Sequence, residues 1–235
     1  MTSFPIDLLF FAVMAVVLLF HFNSILGKGD KNDIKENANP QGKAKLKLIN
    51  NKENNEKIIN INELPAKDAS FLEISKKTFE DAIKKMPKKS QEGIEEIKQQ
   101  DKTFSTENFI TGAMQAFGLI VLGYARGNIN LLKKMLDEDL FEVFKEDIKK
   151  RKKGEKIDTK IENINKIQIE QAKLQGSMAY ITVKFVSNQT TAVRNEDGEV
   201  LKGDPEQPRE ITDIWTFAKD IRSENPNWTL VKSES

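Results

Sequence analysis

The chain has 235 residues with 37 Lys+Arg against 36 Asp+Glu, so its overall charge favours neither an acidic nor a basic partner. It has no cysteine, which excludes disulfides, thiol catalysis and cysteine-ligated metals. His21 is its single histidine, which excludes most histidine-based catalysis and most zinc sites and leaves a carboxylate-only enzyme open.

An apolar segment near the N-terminus predicts a membrane anchor at 1–26. Its apolar run from Phe4 to Leu26 is close to the about 20 residues with which a helix spans about 30 Å of hydrocarbon. No Lys or Arg precedes the run and no small-x-small cleavage site follows it, which favours an uncleaved anchor over a signal peptide. The candidate membrane-anchor residues are Phe4, Leu8, Phe11, Val16, Leu19 and Phe22.

Lysines after the anchor predict its orientation. Lys28 and Lys31 follow it directly, so we expect the N-terminus outside and the body on the cytoplasmic side of the inner (cell) membrane. Residues 27–69 are rich in Asn and Lys and contain no aromatic residue. A segment of this kind buries too little apolar surface to fold, and it predicts a disordered tether to a domain at 70–235.

Three segments with apolar residues at steps of three and four predict helices. They are Phe71 to Met86, which ends at Pro87; Asn108 to Arg126, with a cap at Ser105 or Thr106 and a stop at Gly127; and Leu131 to Arg151, with a possible break at Asp137 to Asp139. Glycines within the second helix, at positions 112, 118 and 123, predict close packing against another element.

Short β-branched and aromatic runs after Lys156 predict strands. The runs are 157–170, 178–190, 191–193, 200–201, 211–217 and 228–231, with turns at Asp197-Gly198 and at Asn225-Pro226-Asn227. Helices followed by an antiparallel meander indicate an α+β fold.

Two clusters of cations are candidate surfaces for an anionic membrane or a protein partner. The first is Lys84, Lys85, Lys88 and Lys89, and the second is Lys149, Lys150, Arg151, Lys152 and Lys153. The amphipathic helix beside the first cluster equally suits a cap on the domain. A solvated helix end and a nucleic-acid contact are alternatives for the second.

A candidate pocket is predicted from strand alternation. Asp213 shares one strand face with Trp215 and Phe217, near Tyr124 or Phe117 of the second helix. A desolvated carboxylate there would suit a general base, whereas the plainer interpretation is that Asp213 fixes the strand by hydrogen bonds. Trp215 and Trp228 are expected in the core or in a cleft wall. No catalytic residue, metal site or cofactor is assigned.

Two stretches together resemble a known family. They are Asp101 to Arg151, containing F-xx-GA-xx-AF, and Ile211 to Val231, containing DIWTF and NPNW. Both are similar to the Tim44-like domain, the C-terminal domain of the mitochondrial inner-membrane import-motor scaffold, and the opening apolar run resembles the anchor of its bacterial relatives. Gly127-Asn128 departs from the Gly-Asp usual in the family, and the tether does not match the scaffold's chaperone-binding region.

The resemblance implies a nuclear-transport-factor-two-like or cystatin-like cone, with a curved antiparallel sheet around helices. It also implies a non-enzymatic adaptor or assembly/translocation factor that binds anionic lipid and recruits translocation, chaperone or membrane-assembly components. The alternatives are a small-ligand or lipid-binding cone, with possible catalysis through Asp213, and a membrane tether that contacts RNA or a ribosome.

Overall fold

A computed structural model describes residues 76–234, and there it contains five helices followed by four strands. The helices are α1 (Lys76–Lys84), α2 (Lys88–Gln100), α3 (Thr106–Ala125), α4 (Ile129–Met135) and α5 (Glu138–Lys150). The strands are β1 (Lys156–Gln175), β2 (Met178–Arg194), β3 (Val200–Asp220) and β4 (Thr229–Glu234). The predicted α+β fold is confirmed. The predicted anchor and tether lie outside the described residues.

Polar caps and one glycine set the helix ends that the sequence predicted. Ser105 Oγ accepts a hydrogen bond from the Asn108 N–H (3.2 Å) and caps α3. Gly127 follows α3 with φ of 67°, a conformation that costs glycine little. The Asp137 carboxylate accepts from the Leu140 N–H (2.9 Å) and separates α4 from α5, so the break at Asp137 is confirmed.

Helix α2 is an element that the sequence patterns did not predict. Pro87 ends the first predicted helix but also occupies the N-cap position of α2. The buried face of α2 consists of Ser90, Gly93, Ile94 and Ile97. Because two of these four residues are polar or lack a side chain, an apolar period is not visible in the sequence.

The sheet is an antiparallel meander in the order β1-β2-β3-β4. Three register shifts against β2 occur within residues 161–171 of β1. Each such bulge adds a residue to one strand and strengthens its twist, so the shifts curl the sheet. The predicted runs 178–190 and 191–193 form one strand, β2, and the runs 200–201 and 211–217 both belong to β3. The predicted division into shorter strands was therefore wrong.

A tight turn joins β2 to β3, as predicted. The Gly198 N–H donates to the Asn195 carbonyl (3.1 Å), and Gly198 has φ of 86°. The Asn195 side-chain oxygen also accepts from the Glu199 N–H (2.8 Å). We call residues Asn195–Glu199 the hairpin tip.

Helix α3 packs on the sheet through aromatic side chains. The Phe117 ring lies 4.6 Å from the Phe185 ring and 4.9 Å from the Trp215 ring, centroid to centroid. By length and composition α3 would suffice to span a membrane, but most of its side chains are buried in the core of the domain. We therefore interpret α3 as a core helix.

Helix α2 covers part of the outer edge of β1. Ser90 Oγ donates to the Glu170 carbonyl (2.8 Å), and a Cβ added at Gly93 would lie 2.0 Å from the Ala172 carbonyl oxygen. Only a residue without a side chain allows this approach of the two backbones. The contact protects an edge that would otherwise present unpaired backbone groups.

Candidate functional site

A cavity of about 430 Å³ lies between the C-terminal half of α3, helix α5 and the sheet. This volume falls within the range of about 300–1,000 Å³ that is typical of small-molecule pockets. Its walls are mainly apolar, and the apolar side chains are Ile120, Val121, Phe144, Ile157, Val193, Ile211 and Trp215. The arrangement suits a ligand with an apolar body.

Three of the five residues predicted for a pocket line this cavity, namely Tyr124, Asp213 and Trp215. Asp213 is 4% exposed and Trp215 is 1% exposed. Phe117 is fully buried, and its ring packs against the Trp215 ring at an interplanar angle of 51°, so it supports the wall from behind. Phe217 lines a different cavity. The predicted pocket residues therefore divide between a wall, its support and a second site.

Buried polar atoms occur beside the apolar wall. Gln189 is 3% exposed, lines the cavity, and donates through Nε2 to Ser187 Oγ (2.8 Å). The Trp215 indole Nε1 has no hydrogen-bond partner among the described residues. A donor buried without a partner costs about 1–3 kcal/mol, so this nitrogen marks a destabilised point in the cavity wall.

Tyr124, Asp147 and Arg151 form a cluster at the outer side of the cavity. The Tyr124 hydroxyl donates to the Asp147 carboxylate, and the Arg151 guanidinium lies 4.5 Å from the centre of the Tyr124 ring. Burial, followed by the hydrogen bond to Asp147, raises the pKa of Tyr124 well above its ordinary value. Tyr124 therefore stays a neutral donor at physiological pH.

Arg151 differs from the other cations of its run. Its terminal nitrogens donate to the backbone carbonyls of Tyr124 (2.7 Å) and Ala125 (2.9 Å), at the C-terminus of α3. A cation at the negative end of the helix dipole is stabilising. The sequence placed Arg151 in a surface patch, whereas the structure shows a half-buried side chain that fastens the run to α3.

Exposed lysines, together with the acid Glu155, line the mouth of the cavity. Lys150 and Lys152 flank Arg151 in sequence, and Lys202 reaches the mouth from β3. Among the described residues, none of these three lysines forms an ion pair. Lys149, in contrast, pairs with Glu146 (2.7 Å), and both are exposed. The mouth therefore offers unpaired cations beside an apolar interior.

The first predicted basic cluster is divided between the C-terminal end of α1 and the start of α2. Lys84 and Lys85 each pair with an acid one turn earlier in α1, at 3.0 and 2.9 Å, and exposed pairs of this kind contribute little. Lys88 and Lys89 begin α2 and are exposed. Ala82 is fully buried, and α1 packs against the core, as the alternative of a domain cap implied.

A second cavity of about 340 Å³ lies along the N-terminal half of α3. Four aromatic side chains line it: Phe104, Phe109, Phe217 and Trp228. At Gly112, an exposed residue that also lines it, an added Cβ would meet no atom within 4 Å. The prediction that Gly112 packs against another element was wrong, whereas at Gly123 the nearest atom, Leu131 Cδ2, would be 3.0 Å away.

Sequence reasoning did not find several wall residues, including Gln189, Thr191 and Lys202. Each carries no local signal because its role depends on strand register, which sets Thr191 against Asp204 and Gln189 against Arg209. In residues 76–234 no cluster of three or more His, Asp or Glu side chains suits a metal ion.

Comparisons with known proteins connect this fold to a family. The sequence profile of the Tim44-like domain matches residues 90–235. The chain is 30% identical over 77 residues to the probable mitochondrial import inner membrane translocase subunit tin-44 of Caenorhabditis elegans, covering 32% of this chain and 18% of that protein. It is 24% identical over 123 residues to the mitochondrial import inner membrane translocase subunit TIM44-1 of Arabidopsis thaliana, covering 52% and 26%.

The matched regions thus span about a fifth to a quarter of the length of these relatives. Among solved structures, the intermembrane space region of the chloroplast protein ARC6 is similar with a TM-score of 0.32 and 12% identity, covering 63% of this chain and 95% of that one.

Proposed function

Because this chain belongs to the Tim44-like domain family, we propose that it is a non-enzymatic adaptor, tethered to the inner membrane, that recruits protein partners to its cytoplasmic face. The observation that carries the proposal is the family match over residues 90–235. Both relatives are named as subunits of mitochondrial inner-membrane import translocases. In this proposal the partners are translocation, chaperone or membrane-assembly components.

Membrane contact is proposed at the mouth of the larger cavity, through anionic lipid. Lys150, Lys152 and Lys202 are unpaired there, and Lys153 extends the run. A lysine near an anionic membrane surface contributes about 1 kcal/mol. Arg151 holds the run against α3, so the lysines keep a fixed position relative to the cavity.

Partner contact is proposed at the second cavity, on the other half of α3. Its rim carries the neutral polar side chains of Asn108, Gln115 and Asn227, and its aromatic walls offer a pocket for an apolar side chain. Aromatic side chains in such pockets are typical of the residues that dominate binding energy in interfaces. Membrane and partner would then bind to opposite halves of one rigid helix.

The test is site-specific photocrosslinking of the full-length protein in cells. A photoreactive amino acid replaces Gln115 at the second cavity, and a matched control replaces Gln99, an exposed residue of α2. We expect reproducible protein neighbours at position 115 that are absent at position 99. Ribosomal neighbours at position 115 would instead favour a ribosome-contacting tether, and identical neighbours at both positions would contradict the proposed docking cavity.

A second candidate function is the binding of a small anionic amphiphile in the larger cavity. The observation that favours it is an apolar interior of about 430 Å³ with unpaired lysines at its mouth. Decanoate is a suitable probe, with the fluorescence of Trp215 as readout in a Trp228→Phe background. We expect saturable quenching that Val121→Phe weakens by filling the cavity. Quenching unchanged in that variant would locate the probe elsewhere.

A further inference from the structure

The hairpin tip lies directly against the end of the cation run Lys149–Lys153, which we call the basic run. Gly154 follows Lys153 and has φ of 84°. A Cβ added at Gly154 would lie 2.3 Å from Glu196 Cγ and 2.6 Å from Glu196 Oε1. The Glu196 side chain therefore occupies the space that any other residue at position 154 would fill. Its carboxylate covers the backbone next to Lys153.

Charges on the two segments are opposite. The hairpin tip carries Glu196, Asp197 and Glu199, and the run before Gly154 carries Lys150, Lys152 and Lys153 in addition to the engaged Arg151. Among the described residues, none of these three lysines is in an ion pair with a carboxylate of the tip. The Debye length at physiological salt is about 8 Å, so neighbouring exposed charges of opposite sign still attenuate each other.

The tip is held in this position by several contacts. Arg194 pairs with Asp158 of β1 (2.6 Å) and donates to the Gly198 carbonyl (2.9 Å). The turn bonds at Asn195 close the tip on itself. Because the β1–β2 register places Lys156 opposite Arg194, the start of β1 and the tip stay adjacent.

We propose that the hairpin tip is an intramolecular competitor for the basic run, which lowers the affinity of that run for an acidic lipid surface. The inference rests on the membrane contact of the proposed function and adds a control to it. Glu196 must move away from Gly154, or its charge must be outweighed, before the lysines engage lipid headgroups at full strength. Binding then responds to the density of anionic lipid rather than to any membrane.

Two substitutions distinguish shielding of the lysines by Glu196 from a general repulsion between acidic residues of the domain and an anionic membrane. Glu196→Gln removes the covering charge. Gly154→Asn keeps the net charge but displaces the Glu196 side chain, and asparagine is among the residues that tolerate a positive φ. The control is Glu224→Gln, which removes an equal charge from the exposed connection between β3 and β4.

The measurement is the rate at which a water-soluble acylating reagent modifies Lys152 and Lys153, read by mass spectrometry. The full-length protein is reconstituted in phosphatidylcholine vesicles with or without phosphatidylglycerol. We expect phosphatidylglycerol to protect these lysines, and to protect them about fivefold more in E196Q and G154N than in the wild type. E224Q should match the wild type.

The possible results test the competitor and the membrane contact separately. Protection that is equal in the wild type, E196Q and G154N would overturn the competitor and leave the membrane contact standing. An equal gain in E196Q and E224Q, with none in G154N, would show repulsion of the whole domain and also overturn it. Lysines that phosphatidylglycerol protects in none of the proteins would refute both the membrane contact and the competitor. Circular dichroism confirms that each variant is folded.

Discussion

Alanine substitutions at two helical glycines, Gly93 and Gly112, should change stability in opposite directions. In an exposed helix interior, alanine is favoured over glycine by about 1 kcal/mol. At Gly112 nothing lies within 4 Å of the added Cβ, so Gly112→Ala should raise the free energy of unfolding by about 0.5–1 kcal/mol.

At Gly93 the same methyl group would lie 2.0 Å from the Ala172 carbonyl oxygen, which belongs to the backbone of β1. Overpacking costs about 1–3 kcal/mol, and moving α2 away would also break the bond from Ser90 to Glu170, about 1 kcal/mol. After subtraction of the gain in helix propensity, Gly93→Ala should lower the free energy of unfolding by about 2 kcal/mol.

The assay is urea unfolding of the full-length protein in a non-ionic detergent, followed by tryptophan fluorescence. In thermal unfolding of a domain of this size, about 2 kcal/mol corresponds to a decrease in Tm of about 4–8 °C. Gly123→Ala is a matched intermediate, because its Cβ would meet the flexible tip of Leu131 at 3.0 Å. A G93A protein as stable as the wild type would refute the close approach of α2 to β1.

Three further predictions concern buried or half-buried groups. In a Tyr180→Phe protein, Tyr124 is the remaining tyrosine. Because burial and then Asp147 raise the pKa of Tyr124, tyrosinate absorbance should appear only well above pH 10. The stability that neutral Tyr124 contributes should be lost as pH rises past about 10, where the tyrosine of the unfolded chain ionises first. Burial opposes ionisation of Asp101, but hydrogen bonds from Thr103 and from the Lys219 ammonium outweigh burial and lower the pKa of Asp101. The ionised carboxylate therefore stabilises the fold above about pH 4, and this stabilisation is lost below it. In thermal unfolding, Asp101→Asn should flatten the dependence of stability on pH between about pH 5 and 3. Trp215→Ala should cost about 3–5 kcal/mol in urea unfolding, and wild-type stability would contradict the burial of this side chain.

Sequence patterns predicted most helices and turns because their signals are local. Ser105, Gly127 and Asp137 act through hydrogen bonds or dihedral angles within a few residues. The helix end that each one marks can therefore be predicted without knowledge of the fold. The α2 face escaped detection because Ser90 and Gly93 are buried by contact with β1, about 80 residues away in sequence. Their burial depends on a partner that periodicity does not reveal.

The candidate site was predictable only in part, for a related reason. Strand alternation placed Asp213 and Trp215 on one face, and the structure puts both on the cavity wall. Alternation also placed Phe217 on that face, but Phe217 lines the second cavity. Alternation does not show which part of the strand lies under which half of α3. Position along the strand, fixed by register, separates the two cavities.

By itself, the sequence determined the α+β class with helices before strands, most of the caps and turns, the lack of cysteine and the resemblance to the Tim44-like domain. These depend on residue identity and on spacing along the chain. Only the tertiary structure decided that Arg151 holds the basic run against α3, that Lys202 lies at the mouth of the larger cavity, and that Glu196 covers Gly154. Each of these contacts joins segments about 25 to 50 residues apart, and the packing that brings such segments together is set by the whole core.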